Sequence, residues 1–325
     1  MTTKVMAFGE ALIDFLSNGV TGLEGGLESF TKFPGGAPAN VAVAVARLGG
    51  NSHFAGQVGD DAFGHFLQAS LASYGVQTDT MLMTKAAKTA LAFVSLDNTG
   101  ERSFEFYRNP SADMLFRAED FKAEWFKEPK GVFHTCSNTL TDANITAATM
   151  AGVELAKAAH WIVSIDVNLR INLWPEHQVD CQRIIDWMAQ GDVIKASLEE
   201  LEVIADEPFA LIDQLLSKGV SLFVLTDGPN AVRYFTAAHG QGEVAAPRVE
   251  AVDTTAAGDA FVGGLLYQLA ERGGDRETLQ QFSQVELEAI IRFAVSCGAE
   301  SVTKAGAYPS LPDMAQAKAR LATLV

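Results

Sequence analysis

Short apolar runs alternate along this chain with longer segments whose apolar positions recur every three to four residues, the two periods of buried strands and amphipathic helices. Residues 5–8, 132–135, 161–166, 192–195 and 222–226 have the strand character. The helical pattern covers 38–48, 62–74, 142–159, 175–188, 208–217, 256–269, 285–300 and the segment from 312 onward. Strands separated by helices close through right-handed crossovers, so the rhythm predicts a mostly parallel sheet covered by helices. Two regions, 13–37 and 87–110, break the rhythm: short alternating stretches such as Ser103-Phe104-Glu105-Phe106-Tyr107-Arg108 predict antiparallel strands with no helix between them. Paired with each other they would form a small discontinuous sheet. An α/β sheet takes ligands beyond the carboxyl ends of its strands, so a minor sheet inserted after the first strand would hang over that place as a lid. The expected organisation is interleaved, with 1–12, 38–86 and 111–325 in a large α/β domain and 13–37 and 87–110 in the lid.

Composition narrows the partners. Hydrophobic residues make up 48% and charged residues 20% of the 325, an ordinary globular balance. The formal net charge of −16, with no run of Lys or Arg, disfavours nucleic acid and anionic lipid surfaces. No apolar stretch approaches the roughly 20 residues that span a bilayer. The N-terminus leads straight into a strand without a cleavable apolar leader, so the expected location is the cytoplasm. Cys136, Cys181 and Cys297 are odd in number and far apart, which predicts buried free thiols rather than disulfides or a zinc site.

The strongest chemical signal is Val252-Asp253-Thr254-Thr255-Ala256-Ala257-Gly258-Asp259, followed by Gly263-Gly264. Small residues open a helix whose first amides would suit a phosphoryl group in flight. Asp259 repels a phosphate and makes chemical sense there as the acceptor of a proton from an attacking hydroxyl. The same segment would equally serve as a helix cap with close packing at the two glycines. No Gly-x-x-x-x-Gly-Lys-Ser/Thr, protein-kinase motif, Gly-x-Ser-x-Gly or metal-spaced His pair occurs. Gly240-Gln241-Gly242-Glu243-Val244-Ala245 follows strand-like residues and leads into another, so it reads as a hairpin turn and not a dinucleotide loop. Near the N-terminus, Asp14 stands just past the first strand, a solvated acid or an acceptor for sugar hydroxyls. Gly35-Gly36 then permit close backbone approach ahead of Asn40, which is a helix cap or points at the same hydroxyls.

Asp14, Gly35-Gly36 with Asn40, residues 56–64 and the 253–264 segment together resemble the ribokinase-like (PfkB) family of carbohydrate kinases over nearly the whole chain. Glu101 to Met114, Asp166-Val167-Asn168-Leu169-Arg170 and Trp174 are most similar to the fructokinases within it. The resemblance implies a three-layer α/β/α sandwich with a small β-sheet lid, and transfer of the ATP γ-phosphoryl group to the 6-hydroxyl of D-fructose. The rivals are kinases of the same family acting on 2-keto-3-deoxygluconate, ribose or an aminoimidazole riboside, and a sugar-binding regulator without turnover. By the same resemblance Asp259 is the base, Ala256, Ala257 and Gly258 form the anion hole, and Asp14, Gly35, Gly36, Asn40, Phe106, Arg108 and Arg170 surround the sugar, with a lid salt bridge the alternative for Arg108. Lys195, Ser197, Glu200, Thr226, Gly228, Val295 and Gly298 fall on the nucleotide side, with Glu200 organising Mg²⁺-bound water. Ser197 replaces the usual Asn, Ala231 a usual Gly, and Val295 an Asn beside adenine. Asp253, Thr255, Ser301, Lys304, Gly306 and Ser310 match a monovalent-cation site, which implies dependence on K⁺. An uncovered lid face would pair two copies into a homodimer.

Overall fold

The computed structural model describes residues 3–20, 28–96, 102–108 and 110–324. Residues 21–27 and 97–101 of the expected lid, with Glu101 and Asn109 of the segment similar to fructokinases, lie outside them. In chain order the elements are β1 (Lys4–Phe8), β2 (Leu12–Val20), β3 (Glu28–Gly35), α1 (Ala37–Arg47), β4 (Asn51–Gly59), α2 (Ala62–Ser73), β5 (Met81–Thr84), β6 (Leu91–Leu96), β7 (Arg102–Tyr107) and β8 (Gly131–Cys136). There follow α3 (Ala143–Ala158), β9 (Ile162–Asp166), α4 (Cys181–Met188), β10 (Val193–Ser197), α5 (Leu198–Ile204), α6 (Pro208–Ser217), β11 (Leu222–Thr226), β12 (Val232–Thr236), β13 (Gly240–Val244), α7 (Ala257–Glu271), α8 (Arg276–Gln281), α9 (Gln284–Ser301) and α10 (Met314–Leu321).

Nine strands form one sheet in the order β13-β12-β11-β10-β9-β8-β1-β4-β5, parallel except where β12 runs antiparallel to β11 and β13. β1, β8 and β9 are buried along their whole lengths, as strands covered on both faces must be, and this explains their unbroken apolar character. α3, α4, α5 and α6 enclose one core with the sheet, and α1, α7 and α9 the other, so the molecule has three layers. Gly263 and Gly264 let α7 approach closely: a Cβ on the first would collide with Ala44 of α1, and on the second would stand 2.8 Å from Cys297 Sγ of α9. From β1 the chain crosses to β4 on one side and later returns to β8 on the other. The crevice at that reversal, outside the carboxyl ends of the strands, is where ligands bind in such sheets.

The smaller sheet runs β3-β2-β6-β7. Its two hairpins are antiparallel as expected, but the seam between them, β2 against β6, is parallel, because both strands leave the main sheet in the same direction. Two further expectations, for 175–188 and 240–245, are corrected, and two strands that the pattern did not indicate are added. Residues 175–188 are not one helix: Glu176 and His177 take left-handed φ values of 52° and 57°, and α4 starts only after Asp180, whose carboxylate accepts the Arg183 amide. β4 and β5 belong to the main sheet although their Gly, Gln and Thr residues hide the strand signal; β4 is held between β1 and β5. Gly240 to Val244 is the second strand of its hairpin rather than the turn. Cys136 and Cys297 are buried free thiols, whereas Cys181 is only half-buried. No helix among the described residues is long and apolar enough to cross a membrane.

Candidate active site

Asp259 lies in the first turn of α7, 5% exposed. Two amides hold its carboxylate: Asn40 Nδ2 donates to Oδ2 at 2.7 Å and Asn168 Nδ2 to Oδ1 at 3.2 Å. Asn40 is brought there by the entry to α1, where Gly36 has φ 103° and a side chain would run into the Glu10 carbonyl. Only a glycine fits that turn. Burial drives the Asp259 carboxyl up from 3.8 to about 7; the Asn40 hydrogen bond opposes this, Asp166 adds to it, and Arg170 and Lys195 oppose it. A carboxyl poised near neutrality beside a helix opening can take a proton from an alcohol at cellular pH.

The amide cradle expected over Ala256, Ala257 and Gly258 lies at the N-terminus of α7. The Ala257 amide is turned back to the Thr254 carbonyl at 3.2 Å, so the helix start has one fewer group to offer. Beneath Gly258 stands the Lys195 ammonium, 3.4 Å from where a Cβ on that glycine would be. Lys195 pairs with Asp166 at 3.0 Å across adjacent strands. Burial alone would lower the Lys195 pKa, but Asp166 and Glu200 outweigh it and raise it, so the ammonium stays charged.

On the sugar side, the half-buried Asp14 carboxylate lies directly over Gly35, where any side chain would collide with it. Phe106 packs half-buried against Leu12, Ala90 and Ala92. Arg170 is half-buried, with Nη1 donating to the Leu169 carbonyl at 3.1 Å. Arg108 stands in an ion pair, the alternative that the sequence leaves open beside a sugar contact. It is 4% exposed, paired through Nε with Asp113 at 2.6 Å, and donates through Nη1 to the Asn138 carbonyl at 2.8 Å. Asn138 in turn donates to the buried Glu10 at 2.9 Å. This network ties the ends of β1 and β8 to the segment leaving the lid.

On the nucleotide side, Glu200 closes a capping box with Ser197: Oε2 accepts the Ser197 amide at 2.8 Å and Ser197 Oγ accepts the Glu200 amide at 3.2 Å. Its Oε1 accepts the Leu169 amide at 2.9 Å. Glu200 therefore ties the loop after β9, through Oε1, to the end of β10, through Oε2. Thr226 Oγ1 donates to the Ala196 carbonyl at 3.3 Å, and Gly228 has φ 51° with open space beside it. Val295 is buried in the core under α7, and a Cβ on Gly298 would lie 3.2 Å from the Ala257 carbonyl.

The residues matched to a monovalent cation also come together. Asp253 accepts the Thr255 and Gly306 amides, each at 2.9 Å, which joins the loop before α7 to the loop after α9. Ser301 and Ser310 spend their hydroxyls on the Gly298 and Ala307 carbonyls, and Lys304 stands 3.5 Å from Glu300. Among the described residues no cluster of three His, Cys, Asp or Glu could hold a metal ion.

Sequence reasoning missed Asp166, Asn168, Glu10 and Asn138 as parts of the site. The alternation Asp166, Asn168, Arg170 at a strand end was the available signal; Glu10 and Asn138 had none, since 128 residues separate them.

Fold and site together define the class: a ribokinase-like α/β protein with a nine-stranded, mostly parallel sheet and a separate four-stranded sheet. The pfkB carbohydrate-kinase family model matches residues 2–314, and the chain belongs to that family. Fructokinase-2 of Solanum lycopersicum is 42% identical over 96% of this chain and 94% of its own length. A fructokinase from Xylella fastidiosa, solved with bound ATP, superposes with a TM-score of 0.93 at 42% identity over 99% of both chains. A double mutant of a Vibrio cholerae fructokinase, solved with fructose, ADP and a potassium ion, gives 0.86 at 34% identity over 98% of both chains.

Proposed function

We propose that this protein is an ATP-dependent fructokinase, transferring the γ-phosphoryl group of ATP to the 6-hydroxyl of D-fructose to give D-fructose 6-phosphate and ADP. The observation that carries this reading is Asp259: a buried carboxylate with a pKa near 7, aligned by two amides at the opening of α7. In the proposed reaction the sugar sits against Asp14, Gly35, Gly36 and Asn40, with the small sheet of β2, β3, β6 and β7 as its lid. Asp259 removes the hydroxyl proton as the oxygen attacks the γ-phosphorus, and the amides at the start of α7 with the Lys195 ammonium balance the charge on the phosphoryl oxygens. Positioning and charge stabilisation supply most of the acceleration of such a transfer. Mg²⁺ bound with ATP would neutralise the phosphate oxygens; Glu200, already fixed by amides, would reach it through water. The assignment is tested by ADP release with ATP and Mg²⁺ across D-fructose, D-ribose, D-mannose, 2-keto-3-deoxygluconate and an aminoimidazole riboside. Fructose should give the highest kcat/KM; a higher value for any other sugar would replace it as the substrate.

The cation and the assembly belong to the same reading. K⁺ beside Asp253 would stiffen the loop that leads into α7, so replacing potassium with sodium or choline should lower the rate. An unchanged rate would remove the cation from the account. One face of the small sheet carries Phe15, Phe30 and Tyr107, each in ring contact with Phe93, and Tyr107 is 58% exposed. Two copies meeting there would cover it, and light scattering should give about twice the chain mass of 34.7 kDa. A monomer mass at micromolar concentration would contradict the pairing.

A further inference from the structure

A carboxylate that must take its proton along one direction has to be held against rotation. Asn40 supplies one hold from α1; the other comes from Asn168, in the loop directly after β9. Asn168 is 5% exposed with φ 39°, a left-handed conformation that few non-glycine residues adopt. Its amide Nδ2 lies 3.2 Å from Asp259 Oδ1 and 3.4 Å from Asp166 Oδ2, while its Oδ1 is buried without a hydrogen-bond partner. Asp166 is joined in turn to Lys195. Strained backbone and an unsatisfied carbonyl are both unfavourable for stability, and what they achieve is the delivery of one N–H between two carboxylates.

We propose that Asn168 is a positioning residue for phosphoryl transfer, its side-chain amide fixing the Asp259 carboxylate toward the acceptor hydroxyl and linking it to the Asp166–Lys195 pair. The inference rests on Asp259 being the base. The charged groups facing Asp259 are Asp166 from β9, Arg170 from the loop that follows and Lys195 from β10; α1 presents the neutral Asn40, and the first turn of α7 holds no other charge. Because the Asn168 N–H stabilises the ionised carboxylate, its removal moves proton uptake by Asp259 to higher pH.

Asn168→Gly tests this cleanly, since glycine accepts the left-handed backbone and only the amide is lost. ADP release with D-fructose and ATP is followed against pH for the parent and the variant. The expected result is a kcat lower by roughly tenfold or more, and an acid limb of kcat/KM displaced upward by about half to one pH unit. Asn168→Asp, which keeps the turn preference but adds a carboxylate, should displace the limb further. A loss equal at every pH with the limb unmoved in both variants, or an unchanged kcat, overturns the inference while leaving the fructokinase reading intact. A folded parent that releases no ADP with any sugar in the panel overturns that reading, and this inference with it.

Discussion

Replacing Asp259 with Asn should lower kcat for fructose phosphorylation by about 10² to 10⁴, the range for a positioned general base. The fold should respond in the opposite sense. A carboxyl whose pKa rises from 3.8 in the unfolded chain to about 7 in the folded one takes up a proton on folding between those values. Stability is therefore untouched by this group below about pH 4 and declines as pH rises to about 7, where the ionised, buried Asp259 costs on the order of 4 kcal/mol. The amide of Asn carries no such cost. In urea unfolding at pH 5 and pH 8, the variant should gain on the parent toward pH 8. Near-normal turnover in a folded variant would remove Asp259 from the role of base, and a stability difference independent of pH would remove the neutral-range carboxyl.

Arg108→Met should instead cost stability, by about 3–5 kcal/mol at neutral pH, because it leaves Asp113 and Glu10 as buried carboxylates without their cation. Burial already pushes the Glu10 carboxyl up, with Arg108 opposing the shift, so loss of the guanidinium raises it further. A raised carboxylate destabilises at neutral pH and ceases to do so once protonated, so the deficit should shrink as pH falls. A variant that unfolds within about 1 kcal/mol of the parent but loses affinity for fructose would return Arg108 to the sugar-contact role that the sequence resemblance implied. The burial of its guanidinium and the 2.6 Å pairing with Asp113 favour the stabilising role.

The difference between those two roles marks where the sequence stops being readable. Apolar runs such as Val5 to Phe8 and the pattern from Pro208 to Ser217 identify their elements because burial on both faces, or on one stripe, writes itself into residue type. Gly36 and Asn40 were legible as neighbours in one turn because close backbone approach demands glycine, and the structure brings Asn40 to Asp259. The strand at Asn51–Gly59 was not, since its place is set by pairing with β1 rather than by apolar content. Asn168 and Lys195 were equally opaque as partners of Asp259. Asp259 opens α7, 91 residues beyond Asn168, and nothing in the order of residues 166–170 and 193–197 encodes that β9 and β10 lie side by side with their ends at that helix. Continuous periodicity also concealed the break at Glu176 and His177, because the residues between Trp174 and Cys181 keep a helical spacing without the geometry.

The most direct test is a crystal structure of the protein with D-fructose and a non-hydrolysable ATP analogue. The account predicts a carboxylate oxygen of Asp259 within about 2.6–3.2 Å of the sugar O6, in line with a terminal phosphate over the N-terminus of α7. Fructose bound with another hydroxyl facing Asp259, or Asp259 turned away from the sugar, would contradict it.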